Sequence, residues 1–208
     1  MYTDTDGEER LRAAFPTIHA VEVSGDWRDR WREFHRGAVV GRLWVGPPWE
    51  EPPAGATAVV VDPGRAFGTG AHATTRLCLE FLQRVTGGSL IDIGCGSGVL
   101  AIAGAKLGFG PVIALDSDPA ATEATEENAR LNGVELVVRL GDALAEPLPE
   151  ADIAVANITG EAVPWLPLRS TVAITSGYLD GERVSLPRYA HQDRLVREGW
   201  AADTWHAL

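Results

Sequence analysis

The fold of this chain is decided by the stretch Leu90-Ile-Asp-Ile-Gly-Cys-Gly-Ser-Gly-Val-Leu-Ala-Ile102. An apolar strand at Leu90 to Ile93 runs into three alternating glycines, and a helical pattern follows from Val99 to Leu107. Because glycine has no Cβ, such a turn lets the backbone approach a ligand closely. The stretch therefore predicts a binding loop between a strand and a helix.

A second strand with an acidic end follows this loop. Pro111 to Leu115 is apolar, and Asp116 comes directly after it, about 20 residues beyond the glycines. A carboxylate in that position can accept hydrogen bonds from both hydroxyls of a ribose. The two features together predict a nucleoside pocket at the carboxyl ends of parallel strands.

The glycine spacing distinguishes between two kinds of nucleoside ligand. A dinucleotide site needs G-x-G-x-x-G, but Val99 stands where the third glycine would be. The pattern is instead D-x-G-x-G-x-G, which begins at Asp92 and resembles motif I of the class I methyltransferases. Their cofactor, S-adenosylmethionine, has an ammonium group and no phosphate, so an acidic residue near it is favourable. A nicotinamide-dependent oxidoreductase is correspondingly disfavoured.

Strand and helix patterns alternate along the rest of the chain. Such alternation is typical of a parallel sheet, and polar residues at successive strand ends converge on the crevice where ligands bind. We therefore expect an α/β protein with a Rossmann-like class I methyltransferase fold, in which a mostly parallel central sheet has helices on both faces. The further predicted elements are strands Ala58–Val61, Glu135–Leu140, Ile153–Ala156 and Thr171–Thr175, and helices Arg76–Val85 and Ala120–Leu131.

Composition and charge narrow the function. The chain has 208 residues, 45% of them hydrophobic, which is enough for one core. A net charge of −11 argues against a nucleic-acid partner; it suits a basic partner or an amine substrate, or serves only solubility. The sequence shows no membrane span, no signal-peptide pattern, no metal-ligand spacing and no disulfide framework. We expect a cytoplasmic monomer that binds neither metal nor membrane.

The first 50 residues differ in pattern from the rest. Trp27, Trp31 and Phe34 fall on one face of a predicted helix from Asp26 to His35. A strand and a proline-rich loop follow this helix. We expect residues 1–50 to form a short N-terminal extension with a linker helix, and residues 51–208 to form the methyltransferase domain.

Three ordered segments resemble the ribosomal protein L11 methyltransferase family. They are Phe67-Gly-Thr-Gly-Ala-His-Ala-Thr-Thr75, the glycine loop from Asp92 to Ile102, and Val155-Ala-Asn-Ile158. The family carries F-G-T-G-H-H-x-T-T, then L-D-x-G-x-G-S-G-x-L-A-I-A, then V-A-N-I/L. The resemblance covers roughly residues 26 to 185, and its first segment is the most specific part.

The resemblance implies a set of contacts to S-adenosylmethionine. Phe67 and Gly68 should close over the methionine end, where the ring of Phe67 can face the sulfonium. Asp142 is placed to meet the adenine amino group, or is only a turn residue after Gly141. The other expected contacts are Thr75, Asp92, Gly94, Gly96, Asp116 and Asn157.

Asn157 and Phe67 are the residues expected to carry the reaction. A side-chain amide oxygen beside the methyl group can hold an amine nucleophile in line with the sulfonium. Methyl transfer is a displacement, so position and desolvation supply much of the rate. The resemblance implies a protein amine as acceptor, either a lysine or an N-terminal α-amine, with ribosomal protein L11 as the first candidate.

Two departures from the family bear on the acceptor. Ala71 stands where the family has the first of two histidines, although His72 is retained. About 26 residues precede Trp27, too few for the family's N-terminal ferredoxin-like domain, so we expect that substrate-recognition domain to be mostly lacking. The end of the chain, Thr204 to Leu208, also leaves little room for a long last strand.

Two alternatives to a protein N-methyltransferase stay open. One is a class I methyltransferase that acts on a small-molecule amine or on another protein. The other is a non-catalytic S-adenosylmethionine-binding module, which would need Gly94 and Asp116 but neither Asn157 nor Phe67.

Overall fold

The computed structural model describes residues 36–63 and 70–208, which form ten strands, three α-helices and one 3-10 helix. Strands β1 to β3 make a small sheet and β4 to β10 make the central sheet. The elements are β1 (Ala38–Val40), β2 (Leu43–Gly46), β3 (Thr57–Val60), α1 (Ala73–Leu82), β4 (Leu90–Ile93), α2 (Val99–Leu107), β5 (Val112–Asp116), α3 (Pro119–Asn132), β6 (Val137–Leu140), β7 (Ala151–Asn157), the 3-10 helix Val163–Trp165, β8 (Ser170–Leu179), β9 (Tyr189–Arg197) and β10 (Trp200–Ala207).

The central sheet has the strand order β6-β5-β4-β7-β8-β10-β9. The first five strands in that order pair in parallel, whereas β10 pairs antiparallel with both β8 and β9. From β4 the chain moves outward to β5 and β6, and then returns to β7 on the other side of β4. This reversal between β4 and β7 creates the crevice where open α/β sheets bind ligands.

The three α-helices cover one face of the central sheet. Alternate strand residues, such as Leu90, Val112 and Ile153, point to this face and pack with Leu77 of α1 and Ile102 of α2 in one buried core. Helix α3 packs beside α2 and against β5 and β6. This layer places the start of each helix at the carboxyl ends of the strands.

The opposite face has a different cover. Ile91, Ala154 and Trp205 point to it. They pack with Val163 of the 3-10 helix and with Leu186 of the irregular segment between β8 and β9. The sequence predicts helices on both faces; within the described residues the second face carries only the 3-10 helix, because the chain between β7 and β8 is short. The α/β class and the mostly parallel sheet are confirmed.

The small sheet packs against the helical layer. Strands β1 and β2 form a hairpin whose turn contains Gly41, with φ of +57°, and β3 pairs in parallel with β2. Val45 and Val59 are buried in the same core as Leu82 of α1. The predicted helix at residues 26–35 lies outside the described residues, and the division of the chain at residue 50 stays a prediction.

Most predicted boundaries lie within two residues of those in the structure, but α1 ends at Leu82 rather than Val85 and β8 continues to Leu179, beyond the predicted Thr175. Helix α1 begins at Ala73, before the predicted Arg76, since His72 caps it and its first turn takes in two threonines. The expectation of little room for a long last strand is wrong, because β10 has 8 residues. None of the helices within residues 36–63 and 70–208 combines the length and the apolar composition that a membrane span requires.

Candidate functional site

The glycine loop joins β4 to α2 and has a left-handed backbone at each of its three glycines. The φ angle is +71° at Gly94, +55° at Gly96 and +79° at Gly98, a region that residues with a Cβ rarely adopt. A Cβ atom at Gly94 would also lie 2.8 Å from Cγ2 of Ile158. Gly94 is exposed at the end of β4, so its backbone is open to a ligand.

Asp92 lies beneath this loop and is only 1% exposed. Its Oδ2 accepts a hydrogen bond from the backbone N–H of Ala101 at 3.0 Å, whereas its buried Oδ1 has no hydrogen-bond partner among the described residues. Burial raises the pKa of Asp92 to about 7, a rise that the Ala101 N–H opposes and the charge of Asp116 supports. A buried carboxylate oxygen without a partner is unfavourable, so the position fits a cationic ligand group.

Asp116 ends the neighbouring strand β5 and faces the same loop. Its Oδ2 accepts from the backbone N–H of Gly96 at 2.9 Å, and its Oδ1 accepts from the N–H of Asp118 at 3.0 Å. The side chain remains partly exposed, and each carboxylate oxygen has a further lone pair. The structure thus places a fixed acceptor beside Gly94, and the contact with a ribose stays a prediction.

Asn157 lies on the other side of Gly94. Ile93 of β4 pairs with Ala156 of β7, so Gly94 and Asn157 are the next residues on neighbouring strands. Nδ2 of Asn157 donates to Oγ1 of Thr75 at 3.4 Å, and Thr75 lies buried in the first turn of α1. This contact leaves Oδ1 of Asn157 free to accept a hydrogen bond.

A cavity of about 170 Å³ lies beside Gly94 and Asp116. Asp142 is on its lining, and Oδ1 of Asp142 accepts the backbone N–H of Leu144 at 2.9 Å. Asp142 therefore makes the turn contact that was predicted as its alternative role, at a position that still lines the cavity. The apolar part of the wall comes from Ile93, Leu115, Ile158 and Leu166. Apolar walls with a few convergent polar groups are typical of small-molecule sites.

Larger surface cavities lie away from this crevice. One of about 550 Å³ adjoins Asp152 and Arg169 at the amino ends of β7 and β8, and one of about 750 Å³ lies between α3 and the strands β5 and β6. Ligands of open α/β sheets bind at the carboxyl ends of strands, so the smaller cavity is the candidate site. No group of three His, Cys, Asp or Glu residues in the described ranges could hold a metal ion.

A buried polar face on α3 supports the glycine loop, and sequence reasoning missed it. Oγ1 of Thr125 donates to the carbonyl of Gly96 at 3.0 Å, and Nδ2 of Asn128 donates to the carbonyl of Ser97 at 2.9 Å. Oδ1 of Asn128 accepts from the N–H of Asp62 at 3.0 Å, just after β3. The i, i+3 spacing of these two residues on the alanine-lined face of the helix is the signal that could have identified them.

Phe67 and Gly68 lie outside the described residues, so their predicted contacts stay predictions. His72 is described, and it caps α1. Its Nδ1 lies 2.8 Å from Oγ1 of Thr74, and its ring forms a T-shaped pair with that of Trp200, with 4.9 Å between the ring centroids. Thr75, Asp92, Gly94, Gly96, Asp116, Asp142 and Asn157 all lie at or beside the carboxyl ends of the central strands.

Comparison with known proteins gives a consistent set of relatives. The family described as Ribosomal protein L11 methyltransferase (PrmA) matches residues 8–205. A ribosomal protein L11 methyltransferase of Syntrophomonas wolfei is 43% identical over 181 residues, which are 83% of this chain and 59% of the relative. Its counterpart in Symbiobacterium thermophilum is 50% identical over 145 residues, 66% of this chain and 47% of the relative. The matches thus span about half of these relatives' own length.

Solved structures agree with these matches. A ribosomal protein L11 methylase from Lactobacillus delbrueckii subsp. bulgaricus superposes with a TM-score of 0.73 at 28% identity, over 83% of this chain and 98% of that chain. An RNA methyltransferase from Salinibacter ruber, in complex with S-adenosyl-L-homocysteine, has a TM-score of 0.50 at 20% identity and shares the fold alone, over 62% of this chain and 87% of that chain. The predicted class I methyltransferase fold is confirmed. Because the family match extends over nearly the whole sequence, this chain belongs to the ribosomal protein L11 methyltransferase family.

Proposed function

We propose that this protein is an S-adenosylmethionine-dependent N-methyltransferase that modifies an amine of a protein, with ribosomal protein L11 as the first acceptor to test. One observation carries the proposal. Gly94 and Asn157 lie side by side where the strand order reverses, with Asp116 on the next strand and Thr75 holding the Asn157 amide. These residues place an edge of the sheet suited to a nucleoside next to a side-chain amide that can accept a hydrogen bond from an amine.

The residues at this edge fit S-adenosylmethionine. Asp116 is a partly exposed carboxylate suited to the ribose, and Asp142, on the lining of the same cavity, would serve as an acceptor for the adenine amino group. Oδ1 of Asp92, which has no hydrogen-bond partner within residues 36–63 and 70–208, suits the ammonium of the methionine end. When it is bound, the cofactor supplies an electrophilic methyl group on a sulfonium.

Asn157 would orient the acceptor. Because its Nδ2 is directed to Thr75, its Oδ1 can accept an N–H of a neutral amine and hold the nitrogen lone pair toward the methyl group. Asn157 is half-buried, so binding of the acceptor removes water from the reacting atoms. Positioning of this kind uses the binding of the acceptor to raise the reaction rate, and it needs no side chain that gains or loses a proton.

A protein acceptor is supported by charge and by the relatives. Exposed carboxylates surround the carboxyl ends of the strands, among them Asp118, Glu161, Asp180 and Glu182, on a chain with a net charge of −11. Such a surface attracts basic proteins. The matched relatives are named ribosomal protein L11 methyltransferases. The monomeric state, the cytoplasmic location and the lack of a nucleic-acid partner stay predictions.

Two measurements test the proposal in sequence. Calorimetric titration should show binding of S-adenosylhomocysteine and none of NAD; the reverse result would reject the cofactor. Labelled S-adenosylmethionine should then transfer its methyl group to purified L11, with mass spectrometry locating the modified amine. If L11 stays unmodified while a different amine in a cell extract is labelled, L11 is rejected as the acceptor and the proposed reaction class is retained.

A further inference from the structure

Strand β8 has a β-bulge beside Asn157. Ser176 pairs with Ala202 and Tyr178 pairs with Ala201, so Gly177 is an extra residue without a partner on β10. Its φ angle is +104°. A bulge shifts the alternation of side chains along a strand, so Tyr178 points to the same face of the sheet as Thr175. Bulges of this kind commonly aim a side chain near a functional site.

Gly177 also touches the backbone that follows Asn157. The N–H of Ile158 donates to the carbonyl of Ser176 at 2.9 Å. A Cβ atom at Gly177 would lie 2.1 Å from the carbonyl oxygen of Ile158. Any side chain at Gly177 would therefore push Ile158 away, and with it the end of β7 that bears Asn157.

The Tyr178 side chain is held by a buried charged network. Its phenol donates to Oδ2 of Asp203 at 2.7 Å and lies 2.8 Å from Oγ1 of Thr175. Arg194 donates to both oxygens of Asp203, at 2.8 and 2.7 Å, and Nε2 of His191 lies 2.8 Å from Oδ1. Burial alone would raise the pKa of Asp203, but the hydrogen bonds from Arg194, Tyr178 and His191 outweigh it and hold that pKa below its usual value. The carboxylate therefore stays charged and its partners are fixed in direction.

The network extends to the loop after Asn157. Arg194 also donates to the carbonyls of Asp180 and Glu182, at 3.1 and 3.0 Å, and so fixes the segment between β8 and β9. A Cβ atom at Gly160 would lie 3.0 Å from Cβ of Tyr178 and 3.1 Å from Oε2 of Glu182. Tyr178 and Glu182 thus form a close-packed support beneath the loop that continues from Asn157.

We propose that Gly177, Tyr178 and Asp203 are positioning residues that set the direction of the Asn157 carboxamide through the backbone of residues 157–160. This inference rests on the proposed function, in which the direction of the Asn157 carboxamide orients the acceptor amine. To the part of the chain that the structure describes, the Asn157 side chain makes one long hydrogen bond, to Thr75, so the backbone has to supply most of its orientation. None of the three positioning residues needs to touch the cofactor or the acceptor.

The first test compares two glycine variants at positions with similar positive φ angles. Gly108 has a φ angle of +95°, and a Cβ atom there would meet no atom within 4 Å. Gly177→Ala should lower kcat by about tenfold or more and change S-adenosylhomocysteine affinity by less than about threefold, whereas Gly108→Ala should leave both unchanged. Equal effects of the two variants on kcat would overturn the proposal, since strain alone would then explain them.

The second test keeps the backbone intact and needs no acceptor. Tyr178→Phe removes only the phenol oxygen, and Tyr189→Phe is its matched control, because the Tyr189 phenol donates to the carbonyl of Ser170 at the other end of the sheet. The chain has three asparagines, at 128, 132 and 157, so ¹⁵N-asparagine labelling gives three side-chain amide signals, and the Asn157 signal is identified by its loss in Asn157→Asp.

With S-adenosylhomocysteine bound, Tyr178→Phe should shift the Asn157 amide signal while Tyr189→Phe leaves it in place. An unmoved Asn157 signal in Tyr178→Phe would overturn the positioning role. Because this readout does not depend on methyl transfer, failure of every tested acceptor would reject the proposed function and leave the positioning result to be judged separately.

Discussion

Oδ2 of Asp116 and the backbone nitrogen of Gly96 lie 2.9 Å apart, so the acid that ends β5 also holds the glycine loop that follows β4. One side chain thus joins two neighbouring strand ends before any ligand is bound. A site arranged in this way loses little entropy when the ligand arrives.

Replacing Asp116 by Ala should weaken S-adenosylhomocysteine binding by about 1.5–3 kcal/mol, because the ribose loses a charged acceptor. Asp116→Asn can still accept from Gly96 and should recover part of this loss. Isothermal titration calorimetry measures both. Glu150→Ala, which removes an exposed carboxylate at the amino ends of the strands, is the control. Full affinity in Asp116→Ala would contradict the ribose assignment.

Asn157→Ala should lower kcat by about 10- to 100-fold and leave S-adenosylhomocysteine affinity within about threefold. The reason is that its amide is assigned to the acceptor amine. Thr159→Ala, an exposed position in the same loop, serves as the control and should keep the wild-type rate. Parallel losses in kcat and in cofactor affinity would make Asn157 a cofactor contact only.

Asp92 should make stability depend on pH between about 4 and about 7. Since burial raises its pKa to about 7 in the folded chain, the folded state binds more protons than the unfolded state within this window. Stability therefore falls as pH rises through the window, by at most about 1.4 kcal/mol per pH unit from this group. Urea unfolding of wild type and Asp92→Asn at several pH values checks this. A difference between the two proteins that stays constant with pH would contradict it.

Asn128→Ala should destabilise the fold by about 2–4 kcal/mol, because the Ser97 carbonyl and the Asp62 N–H each lose a buried partner. Glu127→Ala, on the exposed side of the same helix, should change stability by less than about 0.5 kcal/mol. Chemical unfolding followed by circular dichroism measures both. A cost in Asn128→Ala no larger than that in Glu127→Ala would show that α3 does not anchor the loop.

Methylation of a basic protein acceptor should weaken as salt rises, because the acidic strand-end surface attracts it electrostatically. Raising ionic strength from about 0.05 M to about 0.3 M should lower kcat/KM for L11 by about tenfold. S-adenosylhomocysteine affinity, measured at the same two ionic strengths, should change much less. A kcat/KM that does not change with ionic strength would reject the electrostatic part of acceptor binding.

The glycine loop and the acid that ends β5 could be predicted from the sequence, since their determinants are local. Gly94, Gly96 and Asp116 occupy strand ends and a turn, where residue type follows directly from backbone conformation. The predicted bounds of β4 and α2 agree with the structure residue for residue. Apolar runs bounded by glycine leave few other assignments.

The first part of β8 could be predicted, but the full extent of β8 and the length of β10 could not, for a definite physical reason. In β10 the run Ala201-Ala-Asp-Thr-Trp205 shows no apolar alternation, because Asp203 is fully buried in a charged network formed by distant residues. In β8 the bulge at Gly177 interrupts the alternation where the predicted strand stops, although the strand continues to Leu179. Both features depend on tertiary partners that no sequence window contains.

The polar face of α3 hydrogen-bonds both the glycine loop and the small sheet, so the stabilities of these two segments are coupled. Asn128 bonds both Ser97 and Asp62, and Asn132 bonds the backbone of Val60 on both its N–H and its carbonyl. When α3 loosens, these segments lose their partners together, so they should open as one cooperative unit. A ligand that binds the loop would then slow hydrogen exchange at Val60, an amide that it never touches.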